Sequence, residues 1–422
     1  MKHGSALALL LMLAMVSGNA AAQNAPGQPA GEPTAAPARF ETPALGKGPW
    51  EISTQDANLF LELVADGLDH PWALVTLPGG EMLVTERPGR LRVIRDGVLD
   101  PTPIGGLPPI FAFGISGLTD IVLHPDFAEN RVLYLAYSKA HPDAGPKPTV
   151  QADSALAVLK ATWDGGPTLT EVEEIFVASP WYGSKPADRC CGQGPAFGSY
   201  GGRMAFGPDG KLYITSGDRN YGELVQDPSN HIGKILRLND DGSVPSDNPF
   251  VGQDGWRPEI WSTGHRNPTG LSFDGATGTL WETEFGPRGG DELNRIERGG
   301  NYGWMDVTQG KHYDGMPAKG VTGVEGMIDP MIAWLPDSHN PGNVLVYRGA
   351  AFPQWNGDLL IAMMNRSLIR AELGADGKVT KQEAMLQDLG QRFRDVRLGA
   401  DGEIYVLTDE NDGAVLKLTP RP

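Results

Sequence analysis

Two arginines two residues apart, Arg392 and Arg394 in QRFRD, carry the most directed chemistry in the sequence. On an extended segment this spacing turns both guanidinium groups to one side, where they can grip a carboxylate bidentately. The alternative is a solvated strand face, or pairing with Asp388 and Asp395. Cys190 and Cys191 are the only cysteines and are adjacent. With no histidine nearby they supply too few ligands for a metal site. In an oxidising compartment they can close a strained vicinal disulfide; otherwise they remain thiols. The acid–base candidates are His231, His339, Asp218, Glu284 and Asp291. His124 and His265 read more simply as buried rings satisfied by backbone, and Asp291 as a turn cap.

Such residues do chemistry only if a rigid scaffold positions them. The scaffold signal is a recurring pair of apolar segments around a Gly/Asp/Asn turn. It appears at 72–86, 119–138, 202–218, 269–284, 348–364 and 396–409. Each second segment alternates, as in Lys211-Leu212-Tyr213-Ile214-Thr215, and period-2 alternation puts one face in a core. The 56 glycines and 35 prolines among 422 residues fit many short strands and tight turns. The spacing works out at roughly 60 residues per unit, a little above a bare four-stranded blade, with the excess in end loops. The expected fold is all-β, a six-bladed β-propeller of four-stranded antiparallel blades, whose radial closure protects sheet edges. A β-sandwich or two tandem barrels would share the pattern.

The formal charge of −17, with no basic run, excludes a nucleic-acid partner and reports mainly solubility. Residues 1–22 read as a signal peptide: Lys2 and His3, an apolar run from Ala6 to Val16, then Ala20-Ala21-Ala22. That run is too short to span a bilayer, and nothing later is a membrane helix. Residues 23–48 read as a Pro/Ala/Gly-rich disordered linker and 49–422 as the propeller. The mature protein is expected to be periplasmic or secreted.

Several longer segments carry a resemblance. ITSGDRN (214–220), HIGKILRLNDDGSVPSDNPFVG (231–252), EIWSTGHRNPTGLSF (259–273) and TEFGPRGGDELNRIERGGNYGW (283–304) resemble the PQQ-dependent aldose sugar dehydrogenases of the glucose/sorbosone dehydrogenase family. The resemblance covers roughly residues 60 to 420 and implies a six-bladed propeller that uses PQQ and Ca²⁺ to oxidise a small sugar or alcohol. Electrons would pass to an acceptor such as a cytochrome or a quinone. It places Arg266 and Asn267 against the quinone, Arg392 and Arg394 on the cofactor carboxylates, and Gly286, Pro287 and Asp291 around the Ca²⁺. Trp181, Tyr182 and Tyr200 would lie in mouth loops, stacking on a sugar or filling the loop core.

The sequence departs from the family at three positions. The family's catalytic histidine, four residues before the arginine of GGR, is here Ser199, whose hydroxyl is far too weak a base to replace imidazole. The family's cofactor-reaching glutamine is Ile115. Its fifth-blade cation falls in the shortened MMNRSLIR, where Asn365 or Arg366 stands. The cysteine pair lies just upstream of Ser199 and would either stack on the quinone or staple the loop. His339, in a loop entering the fifth blade, is the candidate for the missing base. Ser199, His339 and Arg266 are therefore the catalytic positions to follow. Two rival readings remain: a propeller without catalysis that binds carbohydrate or protein, and a Ca²⁺-dependent lactonase-like hydrolase.

Overall fold

Alternating strands joined by tight turns leave each sheet two faces to bury, and here both are buried against neighbouring sheets. In a computed structural model that describes residues 42–183, 198–313 and 318–421, the chain forms six antiparallel sheets arranged as propeller blades. The expected signal peptide, the linker up to residue 41, and Cys190 and Cys191 lie outside the described residues. Ahead of residue 49, Leu45 already packs on the last blade and the Pro43 carbonyl accepts from Gln391 at 2.6 Å.

The innermost strands are Pro71–Thr76, Leu118–Leu123, Gly201–Phe206, Pro268–Phe273, Pro341–Val346 and Phe393–Leu398. Five blades have four strands. The sixth is completed by the N-terminal strand Asn58–Leu68, which pairs with the C-terminal strand Gly413–Pro420, and Trp50–Ser53 adds a fifth strand outside. The ring is thus latched by its two chain ends. Among the described residues the one regular α-helix is Phe127–Asn130, and no helix is long and apolar enough to cross a membrane.

Five of the six expected hairpins form the two inner strands of a blade. The exception is 348–364: its first strand lies upstream at Pro341–Val346, and a loop with a 3-10 turn at Pro353–Trp355 fills the interval. Pro353 has no N–H to give a ladder, and Phe352 and Trp355 bury against Tyr347 instead.

The second strands are buried at every position in Met82–Glu86, Leu212–Ser216, Leu280–Glu284, Leu359–Met363 and Ile404–Thr408. Their polar residues consequently need internal partners. Threonines stitch blade to blade: Thr85 Oγ1 donates to Thr119 O (2.5 Å), Thr215 to Pro268 O (2.9 Å) and Thr283 to Gly342 O (2.7 Å). Among the inner strands Arg203, fully buried, bridges Asp120 at 3.1 Å and Asp395 at 3.3 Å beneath the Trp72 ring, and Arg397 reaches Asp120 at 2.6 Å.

Candidate active site

Chain direction decides where the functional residues gather. In every blade the inner strand starts, and the second strand ends, at the same end of the ring. One hydrogen bond between each pair of consecutive blades marks that end. Leu118 N–H donates to Arg87 O (3.1 Å), Asp218 N–H to Arg266 O (2.6 Å) and His70 N–H to Glu410 O (2.8 Å). The Ser154 and Tyr200 hydroxyls meet at 2.7 Å, Asn340 N–H donates to Asp291 Oδ2 at 2.7 Å, and Arg392 Nη1 to Met364 O at 3.4 Å. The expected cofactor, metal and catalytic residues lie at this end, most of them in two groups.

The first group surrounds Asp409, just after the second strand of the last blade. Arg394 Nη2 donates to its Oδ2 at 2.6 Å, Arg392 Nη2 lies 3.4 Å from the same oxygen, and His70 Nδ1 lies 3.1 Å from Oδ1. The arginines therefore do converge, on Asp409 rather than on Asp388 or Asp395; Asp395 is held by Arg203 and Arg397. Burial alone would push the Asp409 carboxyl up. Arg394, the His70 hydrogen bond, Arg392 and Arg87 outweigh it and hold the group well below the carboxylate range. Burial pulls the Arg87 guanidinium down, against the attraction of Asp409.

Arg87 and Asp409 escaped the sequence reading. The available signal was position: each follows the last residue of a second strand, where the ring collects polar groups. Gly117 fixes Arg87 in place. Its φ is +150°, and a Cβ there would fall 1.9 Å from Arg87 O.

The second group surrounds Arg266. Its backbone N–H donates to Glu284 Oε2 at 2.7 Å, and its Nη1 to the carbonyls of Phe285 (2.9 Å) and Gly286 (2.8 Å). The guanidinium lies 5.4 Å from the Trp304 ring and 5.8 Å from the Tyr313 ring. Beside it Asp218 accepts from Trp304 Nε1 and from Asn220 N–H, both at 2.8 Å. Complete burial pushes the Asp218 carboxyl up, against the pull of Arg266. Ser199 sits here in left-handed backbone, φ +51°, its hydroxyl 3.4 Å from Asn220 Oδ1. Asn267 Oδ1 accepts from Gly201 N–H at 3.2 Å.

The turn at Gly286 and Pro287 is organised by Asp291. One carboxylate oxygen accepts from Gly286 N–H at 2.7 Å; the other accepts from His339 N–H at 2.5 Å and Asn340 N–H at 2.7 Å. Both oxygens face backbone N–H groups, as a turn-capping aspartate does. The His339 ring is half-buried and stacked on Trp334, with Nδ1 3.0 Å from Asp337 O. A carbonyl only accepts, so in the neutral ring Nδ1 carries the proton and Nε2 the lone pair. Arg366 occupies a left-handed turn, φ +77°, after the second strand of the fifth blade, and Ile115 is 49% exposed at the same end.

Other candidates are spent on packing. Tyr182 stacks on Tyr221, Tyr200 lies under Arg219, and Trp181 meets His141 edge-on. His231 accepts from Ser179 N–H at 3.0 Å, and His124 from Asp126 N–H at 3.0 Å.

The donors at this end exceed the acceptors. Arg266 Nε and Arg394 Nε are buried with no hydrogen-bond partner, and Arg392 and Arg394 share the Asp409 carboxylate, whose charge Arg87 also feels. A polycarboxylate ligand would supply the missing acceptors. The Phe285 and Gly286 carbonyls, already drawing the Arg266 cation, are hard oxygen donors of the kind Ca²⁺ takes.

The fold and this end of it define a six-bladed propeller whose inner strands enter beside a group of buried arginines. Comparison with known proteins narrows this: the Glucose / Sorbosone dehydrogenase family model matches residues 68–417, and the chain belongs to that family. It is 38% identical to aldose sugar dehydrogenase YliI of Escherichia coli (strain K12) over 369 residues, which cover 86% of this chain and 94% of that protein. A crystal structure of a glucose dehydrogenase matches with a TM-score of 0.76 at 40% identity, over 85% of this chain and 98% of that one. The PQQ-bound aldose sugar dehydrogenase from Streptomyces coelicolor matches with a TM-score of 0.66 at 27% identity, over 85% and 98% of the two chains.

Proposed function

We propose that this chain is a periplasmic, PQQ- and Ca²⁺-dependent oxidoreductase that oxidises an aldose sugar or a related alcohol. The observation that carries the reading is the Asp409 group, where one buried carboxylate stands among three guanidinium groups with donors to spare. When bound, PQQ supplies an ortho-quinone able to accept a hydride from the sugar carbon. Arg87, Arg392 and Arg394 would hold its carboxylates, and Arg266 and Asn267 its quinone side. The Gly286 and Pro287 carbonyls would hold the Ca²⁺. The sugar hydroxyl must also lose a proton, and Ser199 cannot take it. His339 fits that task, because Asp291 fixes its backbone and Asp337 O leaves Nε2 as the acceptor. Electrons leave to a small cytochrome or a quinone. Residues 1–22 support export.

Titrating the apoprotein with PQQ and Ca²⁺, while following quinone absorbance and dye reduction with a panel of aldoses, tests the reading. No uptake at saturating cofactor and Ca²⁺ overturns it. Ser199 and Ile115 favour one other reading, a propeller that binds carbohydrate or protein without catalysis; uptake with no dye reduction by any sugar or alcohol would mark it. Lactone hydrolysis with Ca²⁺ alone would mark the hydrolase. That outcome is disfavoured because Asp120 and Asp395, the carboxylates at the ring centre, are paired with Arg203.

A further inference from the structure

Behind Arg266 the fourth blade buries a cluster that the proposed reaction does not use. Glu282 and Glu284 alternate on the second strand, opposite Asn294 and Glu292 on the third strand Asp291–Ile296. His265 closes the cluster from the turn before the inner strand. His265 and Glu282 are 0% exposed and Glu284 4%, and one ligand atom from each lies within 4.8 Å of the others.

The polar groups here are not satisfied. His265 Nε2 lies 2.9 Å from Ser262 Oγ, while its Nδ1 has no hydrogen-bond partner; neither do Glu282 Oε1 and Asn294 Oδ1. Asn294 Nδ2 is already committed, donating to Glu282 Oε2 at 3.0 Å and Glu292 Oε2 at 3.2 Å. With Nε2–H donating to Ser262, the orphaned His265 Nδ1 is a lone-pair acceptor on a residue that shares its cluster with Glu282 and Glu284. Among the described residues no Lys or Arg side chain forms an ion pair with Glu282, Glu284 or Glu292. Lys234, the nearby ammonium, donates to the carbonyls of Val225 and Ile232 instead, both at 2.6 Å. Buried acceptors without donors, next to acids that no Lys or Arg compensates, call for an electron-poor occupant.

We propose that His265, Glu282 and Glu284 bind a divalent transition-metal ion as a structural site. One imidazole nitrogen with two carboxylate oxygens suits Zn²⁺ and its neighbours, whereas Ca²⁺ takes six to eight oxygens. With Nε2 occupied by Ser262, the buried Nδ1 of His265 is the nitrogen left for an ion. Because Glu284 Oε2 also receives the Arg266 backbone N–H at 2.7 Å, the ion would stiffen the turn that presents this arginine.

The cluster is almost wholly buried, so the ion is supplied while the chain folds. Full-length protein produced with Zn²⁺ or Co²⁺ present is dialysed against excess Ca²⁺, which saturates all-oxygen sites, and measured by elemental analysis and visible absorption. The expected result is about one equivalent of either ion per chain, with Co²⁺ d–d bands of a mixed nitrogen and oxygen site. Glu282→Gln, nearly isosteric, and His265→Gln should each lower the content at least tenfold while circular dichroism stays unchanged. Wild type without metal above background overturns the proposal, as does metal content undiminished in both variants. A metal-free wild type that melts no lower than Glu282→Gln would show that protons, not an ion, satisfy the cluster. None of these readouts depends on PQQ or turnover.

Discussion

Arg394 Nη2 and Asp409 Oδ2 lie 2.6 Å apart, both side chains almost wholly buried, and Arg392 approaches the same oxygen at 3.4 Å. The pair joins the first and second strands of the last blade at the end where polar residues collect. It leaves Arg394 Nε without a partner, so the arginine is held in place with capacity for a further anion.

Replacing Arg394 with Gln should therefore weaken PQQ uptake about tenfold to a hundredfold, the loss expected for one charge-assisted hydrogen bond. Quinone absorbance titrated at fixed Ca²⁺ measures it. Affinity equal to wild type would remove Arg394 from the cofactor site.

Asp409 should give an acid-limb signature. Its folded pKa lies below the unfolded value, so the stability it contributes is fully present above about pH 4 and lost as pH falls through the folded value. Asp409→Asn should lie roughly 3 kcal/mol below wild type at neutral pH. In urea unfolding that gap should hold from pH 7 to about pH 5 and close only in stronger acid.

Ser199 stands where a base would meet Asp218 and Arg266. Its φ of +51° is one that histidine tolerates better than most residues. Ser199→His should raise turnover of an aldose by PQQ-loaded enzyme about a hundredfold. His339→Ala should depress turnover in the wild-type background and have little effect in the Ser199→His background. Dye-reduction kinetics on the four proteins decide whether His339 acts as the base.

Gly117→Ala should destabilise the fold by about 3 kcal/mol or more, because the new Cβ would strike Arg87 O in backbone of positive φ. Thermal melting measures the loss. An unchanged melting temperature would mean that the turn relaxes at no cost.

The ring could be read from the alternating second strands, because period-2 apolarity survives whichever neighbour each face meets. The fifth hairpin was displaced because Tyr347, Phe352 and Trp355 look like strand residues yet pack as a loop core. Arg392 and Arg394 were legible from local spacing. Arg87 and Asp409 were not, since their partnership spans the ring closure and no local pattern records it. The same blindness hid the fourth-blade cluster: Glu284 was singled out alone, and only the pairing of Glu282 with Asn294 and of Glu284 with Glu292 shows the acids facing one another.

The pairing of Asn58–Leu68 with Gly413–Pro420 also sets an order of assembly. An eleven-residue strand made early must wait, one edge unpaired, until residues 413–420 have been made. Asp409 lies just ahead of that last strand, so the arginine-rich end is the part completed latest, and a chain cut short by a few residues would lose it first.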